Sequence, residues 1–165
     1  MFDWGNTLMR VFPEYVGPMA DWPKVELLPG VRQAMEALRA KYRLVLATGA
    51  SGSGEGLVPR ALQSVGLADS FEAIFTGQDL GIGKADPAFY LRTLEALVLH
   101  PDEVAVIGDD CEGDVATPAA VGLRTVWFNP EARPCPVERS LHTIHLLCMA
   151  DIPGRLGMLA GAAQA

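Results

Sequence analysis

The sequence predicts a doubly wound α/β domain: a Rossmann-like parallel sheet with helices on both faces and no added cap domain. Three observations carry this expectation. Short, fully apolar runs alternate with stretches of helical period, glycines stop several of those stretches, and the apolar runs are strand-sized, none approaching a bilayer span. An unbroken apolar run suits a parallel strand covered on both faces, whereas a strand facing water on one side alternates apolar with polar.

The elements follow in order. Met1-Phe2 is a short lead-in to Asp3 and the turn-prone Gly5-Asn6 pair. Met9–Glu26, with Pro13, Gly17, Pro18 and Pro23, reads as a loop or hairpin flap. Pro29-Gly30 opens an amphipathic helix over Val31–Ala40, with Val31, Met35 and Leu38 on one face and Arg32, Glu36 and Arg39 on the other. Arg43–Ala47 is a buried strand ending at Thr48-Gly49, Ser51–Gly56 a Gly/Ser loop, and Leu57–Val65 a helix stopped by Gly66. The alternation repeats with a strand at Phe71–Phe75, a loop at Gly77–Gly83, and a helix at Pro87–Leu99 with proline in its first turn. Val104–Ile107 is a strand ending at Gly108-Asp109, Val115–Val121 a helix, and Thr125–Phe128 and Thr143–Leu147 further strands. Residues 1–160 thus read as one domain with 9–26 as a flap, and Gly161–Ala165 as a frayed tail.

Composition narrows the function. The chain has 165 residues, 50% hydrophobic and 20% charged, which suits a single globular core. A net charge of −7 argues against a general nucleic-acid binder. Cys111, Cys135 and Cys148 form no paired motif, and no signal peptide precedes them, so the expected setting is reduced and cytoplasmic, away from membranes. His100, His142 and His145 have no metal-ligand spacing with these cysteines.

In open parallel sheets, ligands bind beyond the carboxyl ends of the strands. Asp3, Thr48-Gly49 and Gly108-Asp109-Asp110 follow three such ends, and Lys84 lies in the loop after another. This set suits phosphoryl transfer. A carboxylate can attack phosphorus and hold the phosphoryl group, and further carboxylates recruit Mg²⁺. A hydroxyl, an ammonium and backbone N–H groups bind phosphoryl oxygens. Taken singly, Thr48 also fits a helix cap, Lys84 a solvated lysine, and Asp109-Asp110 the cap of the following helix.

Phe2-Asp3-Trp4-Gly5-Asn6-Thr7-Leu8 resembles the first motif of the haloacid-dehalogenase-like (HAD) hydrolases, normally Asp-x-Asp-Gly-Thr-Leu. Leu44–Gly49 resembles their second motif, Gly83-Lys84-Ala85-Asp86-Pro87 their third, and Gly108-Asp109-Asp110-Cys-Glu-Gly-Asp114 their fourth, in family order. The resemblance implies a Mg²⁺-dependent phosphatase. Asp3 would be the nucleophile and a metal ligand, and Gly5 would ligate through its carbonyl. Thr48, Gly49 and Lys84 would hold phosphate, and Asp109 and Asp114 would bind the metal.

The chain departs from that pattern twice. Gly5 stands where the family places a second aspartate, the general acid/base. Metal ligation by the carbonyl survives the change, but proton transfer to the leaving group does not. Such catalysis contributes about 10²–10⁴-fold, so slow turnover or restriction to good leaving groups is expected. Asp110 and Glu112 remain candidate donors. Relatives that lack this aspartate include phosphonate-cleaving enzymes, which need a cap lysine; Lys24 has no cap to carry it. Second, Met9–Glu26 is too short for a cap. An open site suits a bulky or macromolecular phosphorylated substrate, or closure by a second copy in a homo-oligomer, with Trp4, Phe12, Tyr15 and Trp22 at the entrance. Two other readings stand beside the phosphatase: a degenerate Mg²⁺- and phosphate-binding module with little turnover, and a metal-independent dehalogenase, against which Asp109, Asp114 and the missing cap both count.

Overall fold

The computed structural model describes residues 1–49, 56–134 and 143–161. Five short strands lie among them: β1 (Val45–Thr48), β2 (Ala73–Thr76), β3 (Ala105–Gly108), β4 (Arg124–Phe128) and β5 (Thr143–Leu146). β1 pairs with β2, β3 with β4, and β4 with β5, all in parallel. Phe2 joins the two groups by bridging Leu46 on one side and Ile107 on the other. Its N–H donates to the Val45 carbonyl at 2.7 Å, its carbonyl accepts from Ala47 at 2.8 Å, and the Asp3 N–H donates to the Ile107 carbonyl at 2.8 Å. Residues 1–3 therefore form the centre of the sheet, between β1 and β3, and Asp3 leaves it at the carboxyl edge.

The helices are α1 (Val31–Arg39), α2 (Leu57–Ser64), α3 (Gly77–Leu80), α4 (Pro87–Leu97), α5 (Thr117–Ala120) and α6 (Ile152–Gly161). Successive strand residues point to opposite faces, so each apolar run feeds two cores. Leu46 and Ile107 join Phe2, Trp4 and Leu8 in one core, against Val31, Met35 and Leu38 of α1, Leu62 of α2 and Ile152 of α6. Val45, Ala47 and Val106 face the other core, against Phe89, Tyr90 and Leu94 of α4. This two-sided burial makes the strands read as unbroken apolar runs, and the doubly wound parallel fold is as expected.

Several boundaries differ from expectation. Gly77–Leu80, inside the segment read as a loop, is one helical turn; the Thr76 hydroxyl accepts from the Asp79 N–H at 2.9 Å and Gly81 ends it in the left-handed region. The helix expected from Val115 begins earlier, as a π-helix over Cys111–Ala116 that continues into α5. A widened turn of this kind recurs at functional sites. The C-terminal helix α6 carries no strong periodic signal and was not expected. Cys111 is half-buried. Most of the Ser51–Gly56 loop, Cys135, His142 and residues 162–165 of the tail lie outside the described residues. Among those described, no helix is long and apolar enough to cross a membrane.

Candidate active site

Asp3 is fixed by the central segment, its N–H held by the end of β3. Lys84 reaches it from the loop before α4, with Nζ 2.7 Å from Asp3 Oδ1. The same ammonium forms an ion pair with Asp114 Oδ1. Both lysine and aspartates are buried. Burial alone would lower the pKa of Lys84; the carboxylates of Asp3 and Asp114 override it and hold the lysine protonated well above its ordinary range.

The fourth motif places the remaining acids in different roles. Asp110 is the N-cap of the π-helix: its carboxylate accepts from the N–H groups of Glu112 at 3.3 Å and Gly113 at 3.1 Å. Asp114, one turn on, is brought back over the end of β3, where its Oδ2 accepts the Asp110 N–H at 3.2 Å. Gly108 makes this crossing possible, because a Cβ there would fall inside the Asp114 carboxyl group. Tyr90 of α4 braces the same turn by donating to the Gly113 carbonyl at 2.5 Å. The helix-cap reading of the acidic pair therefore holds for Asp110 alone. Asp109 faces the site.

Asp3, Asp109 and Asp114 each offer a carboxylate oxygen within 4.8 Å of the others. Burial, followed by the charge of Asp3, raises the pKa of Asp109 to about 6. The same two causes, in the same order, raise that of Asp114, with Lys84 opposing them. Asp114 Oδ1 is buried, with the Lys84 ammonium against it. Three hard carboxylate oxygens crowded this closely fit a small divalent cation such as Mg²⁺. Gly5 lines the same cleft, where its carbonyl is a further oxygen donor of the kind Mg²⁺ takes.

The cleft holds about 680 Å³. Its floor includes these acids with Lys84, Thr48 and Gly49, so every site residue expected from sequence meets in one place. Tyr15, Val16, Met19 and Trp22 of the flap form the other wall. The flap is closed at its base by an antiparallel bridge between Met9 and Leu27. Within it Tyr15 packs on Phe12 and Trp22 with ring centroids 5.1 and 5.5 Å apart. Asn6 turns the chain into the flap at φ 52°, a left-handed conformation that asparagine tolerates, and its Oδ1 accepts the Val11 N–H at 3.1 Å. Lys24 stands over the Phe12 ring and pairs with Glu26, outside the cleft. Trp4, expected at the entrance, is buried in the core instead, donating to Met19 Sδ at 2.8 Å.

Two contributors carried no sequence signal of their own. Thr7, fully buried, donates to Asp109 Oδ1 at 3.2 Å, although it stood unassigned inside the first motif. Trp127, at the end of β4, donates its indole N–H to the Asp109 carbonyl at 3.0 Å. Only the folded sheet brings these residues to Asp109.

A parallel α/β sheet with a buried aspartate at its centre, a lysine against it and further carboxylates just past the end of the next strand defines a hydrolase-type domain. The model of the haloacid dehalogenase-like hydrolase family matches residues 4–122, and the chain belongs to that family. A phosphoglycolate phosphatase of Cereibacter sphaeroides is 36% identical over 115 residues, 69% of this chain and 50% of that protein. An uncharacterized protein of Listeria monocytogenes serotype 4b has the same fold, with a TM-score of 0.84 at 23% identity over 97% of each chain. YfnB of Bacillus subtilis, a HAD hydrolase solved bound to magnesium, matches 79% of this chain and 56% of its own at 22% identity, with a TM-score of 0.71. The chain spans about half the length, or less, of the curated relatives it matches.

Proposed function

We propose that the chain is a Mg²⁺-dependent phosphohydrolase that works through an aspartyl-phosphate on Asp3. The observation that carries this reading is the convergence of Asp3, Lys84, Asp109 and Asp114 in one cluster at the floor of an open cleft. A carboxylate held against an ammonium is oriented for in-line attack, and Lys84 also offsets the charge of an incoming phosphoryl group. The Thr48 hydroxyl and the Gly49 N–H, on the opposite side of Asp3 from Asp109, bind phosphoryl oxygens. Asp3, Asp109, Asp114 and the Gly5 carbonyl would hold Mg²⁺, which supplies charge neutralisation at the transferring phosphoryl group. Residues 1–160 would act as a single core, with 9–26 as a flap in place of a cap. The extent of the match to the Listeria protein supports this reading.

The test is a panel of phosphate monoesters and anhydrides with Mg²⁺, run on wild type and on Asp3→Asn. Turnover in wild type that disappears in a folded Asp3→Asn protein is the expected result. Activity unchanged by the substitution overturns the assignment. A second reading, a Mg²⁺- and phosphate-binding module with negligible turnover, draws on Gly5. Phosphate binding without hydrolysis across the whole panel would favour it.

A further inference from the structure

If Asp3 is the nucleophile, as proposed above, the surroundings of Gly5 also define which substrates it can attack. A Cβ at position 5 would stand 3.2 Å from Val11 Cγ2 and 3.6 Å from Met19 Cε. Met19 is anchored by the buried Trp4 indole, so a side chain at position 5 would press on Val11 and lie against Met19 of the flap. Position 5 itself offers the cleft no proton donor.

Among the described residues, no other carboxylate or ammonium takes that place. Glu112 lines a separate groove with Pro87, Cys111 and Thr117. The Asp110 carboxylate is occupied by the two N–H groups it caps. The Lys84 ammonium is held between two carboxylates. Asp109 and Asp114 belong to the acid cluster beside Asp3. Among the described residues, only the Tyr15 phenol approaches from the flap side, and its ring is packed edge-on against Trp22.

We infer that this site takes phosphoryl donors whose leaving group departs as a stable anion (acyl phosphates, aryl phosphates or phosphoanhydrides) and discriminates against alkyl esters such as sugar phosphates. In the first step an Asp3 oxygen bonds to phosphorus and the bond to the leaving oxygen breaks. That oxygen keeps the electron pair and leaves unprotonated as carboxylate, phenolate or phosphate. In the second step water attacks phosphorus, the bond to Asp3 breaks, and the Asp3 carboxylate is restored. Inorganic phosphate is released, and the protons of the water pass to it and to solvent. A group that can protonate a leaving oxygen can also take the proton of the attacking water. With none in place among the described residues, the second step is slow as well, so phospho-Asp3 accumulates.

The experiment is a leaving-group series on wild type: nitrophenyl, phenyl and alkyl phosphates with acetyl phosphate, read as kcat/KM. Intact-mass detection of a phosphoryl adduct, lost in Asp3→Asn, is the second readout. The expected result is a fall in kcat/KM of roughly 10²–10⁴-fold from nitrophenyl to alkyl phosphate, the contribution of a missing general acid, with the adduct present during turnover of nitrophenyl or acetyl phosphate. Equal kcat/KM across the series with Asp3-dependent turnover overturns the inference and leaves the phosphatase reading intact. Alkyl turnover that Tyr15→Phe selectively removes also overturns it, by naming Tyr15 as the donor. No turnover of any donor, or turnover that survives Asp3→Asn, overturns both.

Discussion

Lys84 Nζ lies 2.7 Å from Asp3 Oδ1 and also contacts Asp114, so one buried cation stands among three carboxylates. Removing it leaves buried charges that repel one another. Lys84→Met is expected to destabilise the metal-free protein by about 3–5 kcal/mol in urea unfolding, the usual effect of breaking a buried pair from one side. Added Mg²⁺ should recover part of that loss, and more of it in the variant than in wild type. An unchanged urea midpoint would show that the ammonium does not compensate these acids.

Asp109 gives a pH dependence with a definite sign. Its pKa rises from 3.8 unperturbed to about 6 in the folded chain, so the folded state binds a proton that the unfolded state has released. Stability contributed by this group is present at low pH and lost as pH rises through about 6. Metal-free Asp109→Asn should therefore gain stability relative to wild type between about pH 4 and pH 7. Stabilisation of wild type by Mg²⁺ should grow over the same window, because the cation needs the ionised carboxylates. Thermal melts with and without Mg²⁺ check both, and a difference between the two proteins that is flat with pH would refute the assignment.

Much of this site was legible before folding. The order of apolar runs placed Asp3, Thr48, Lys84 and Asp109 at one sheet edge, because parallel strands deliver their carboxyl ends to the same side. The hydrophobic pattern could not decide between Asp109 and Asp110, whose roles depend on where the π-helix starts. Thr7 and Trp127 were invisible for a different reason: their partner, Asp109, is far along the chain, and neither residue type nor spacing encodes the contact. The burial of Trp4 was missed because an aromatic beside a site reads equally well as a wall of the entrance or as core.

Gly5→Asp tests the crowding at the flap. Alone, it should raise alkyl phosphate turnover little, because its Cβ would press on Val11 and lie against Met19. Combined with Met19→Ala, it should recover a measurable share of the about 10²–10⁴-fold effect of a general acid. Steady-state kinetics of the single and double variants decide the matter. A full gain in the single variant would mean that the flap yields freely.

Trp22 closes the aromatic group that faces the acids, with its centroid 5.5 Å from that of Tyr15. Trp22→Ala removes a ring pair of the kind worth about 0.5–1.5 kcal/mol. The expected outcome is a rise of roughly 2- to 10-fold in KM for aryl phosphates with kcat little changed. A fall in kcat at constant KM would place Trp22 in the chemistry instead of in substrate binding.

Gly108→Ala puts a methyl group where the Asp114 carboxyl group lies. It should destabilise the fold by about 1–3 kcal/mol, as overpacking does, and weaken Mg²⁺ binding by displacing Asp114. Gly108→Ala with Asp114→Ala should restore stability but not metal binding. Urea unfolding with metal titration by calorimetry separates the two effects, and a single variant that still binds Mg²⁺ as wild type does would refute the steric account.

The shared volume of positions 108 and 114 also imposes an order on descent. A lineage that retains Asp114 cannot acquire a side chain at 108 without disturbing the acid cluster, whereas one that has exchanged Asp114 for a smaller residue is free to do so. Once 108 has filled, the glycine must return before the aspartate can. The two positions are therefore exchanged only in a fixed order, and this chain holds the pairing from which either exchange must start.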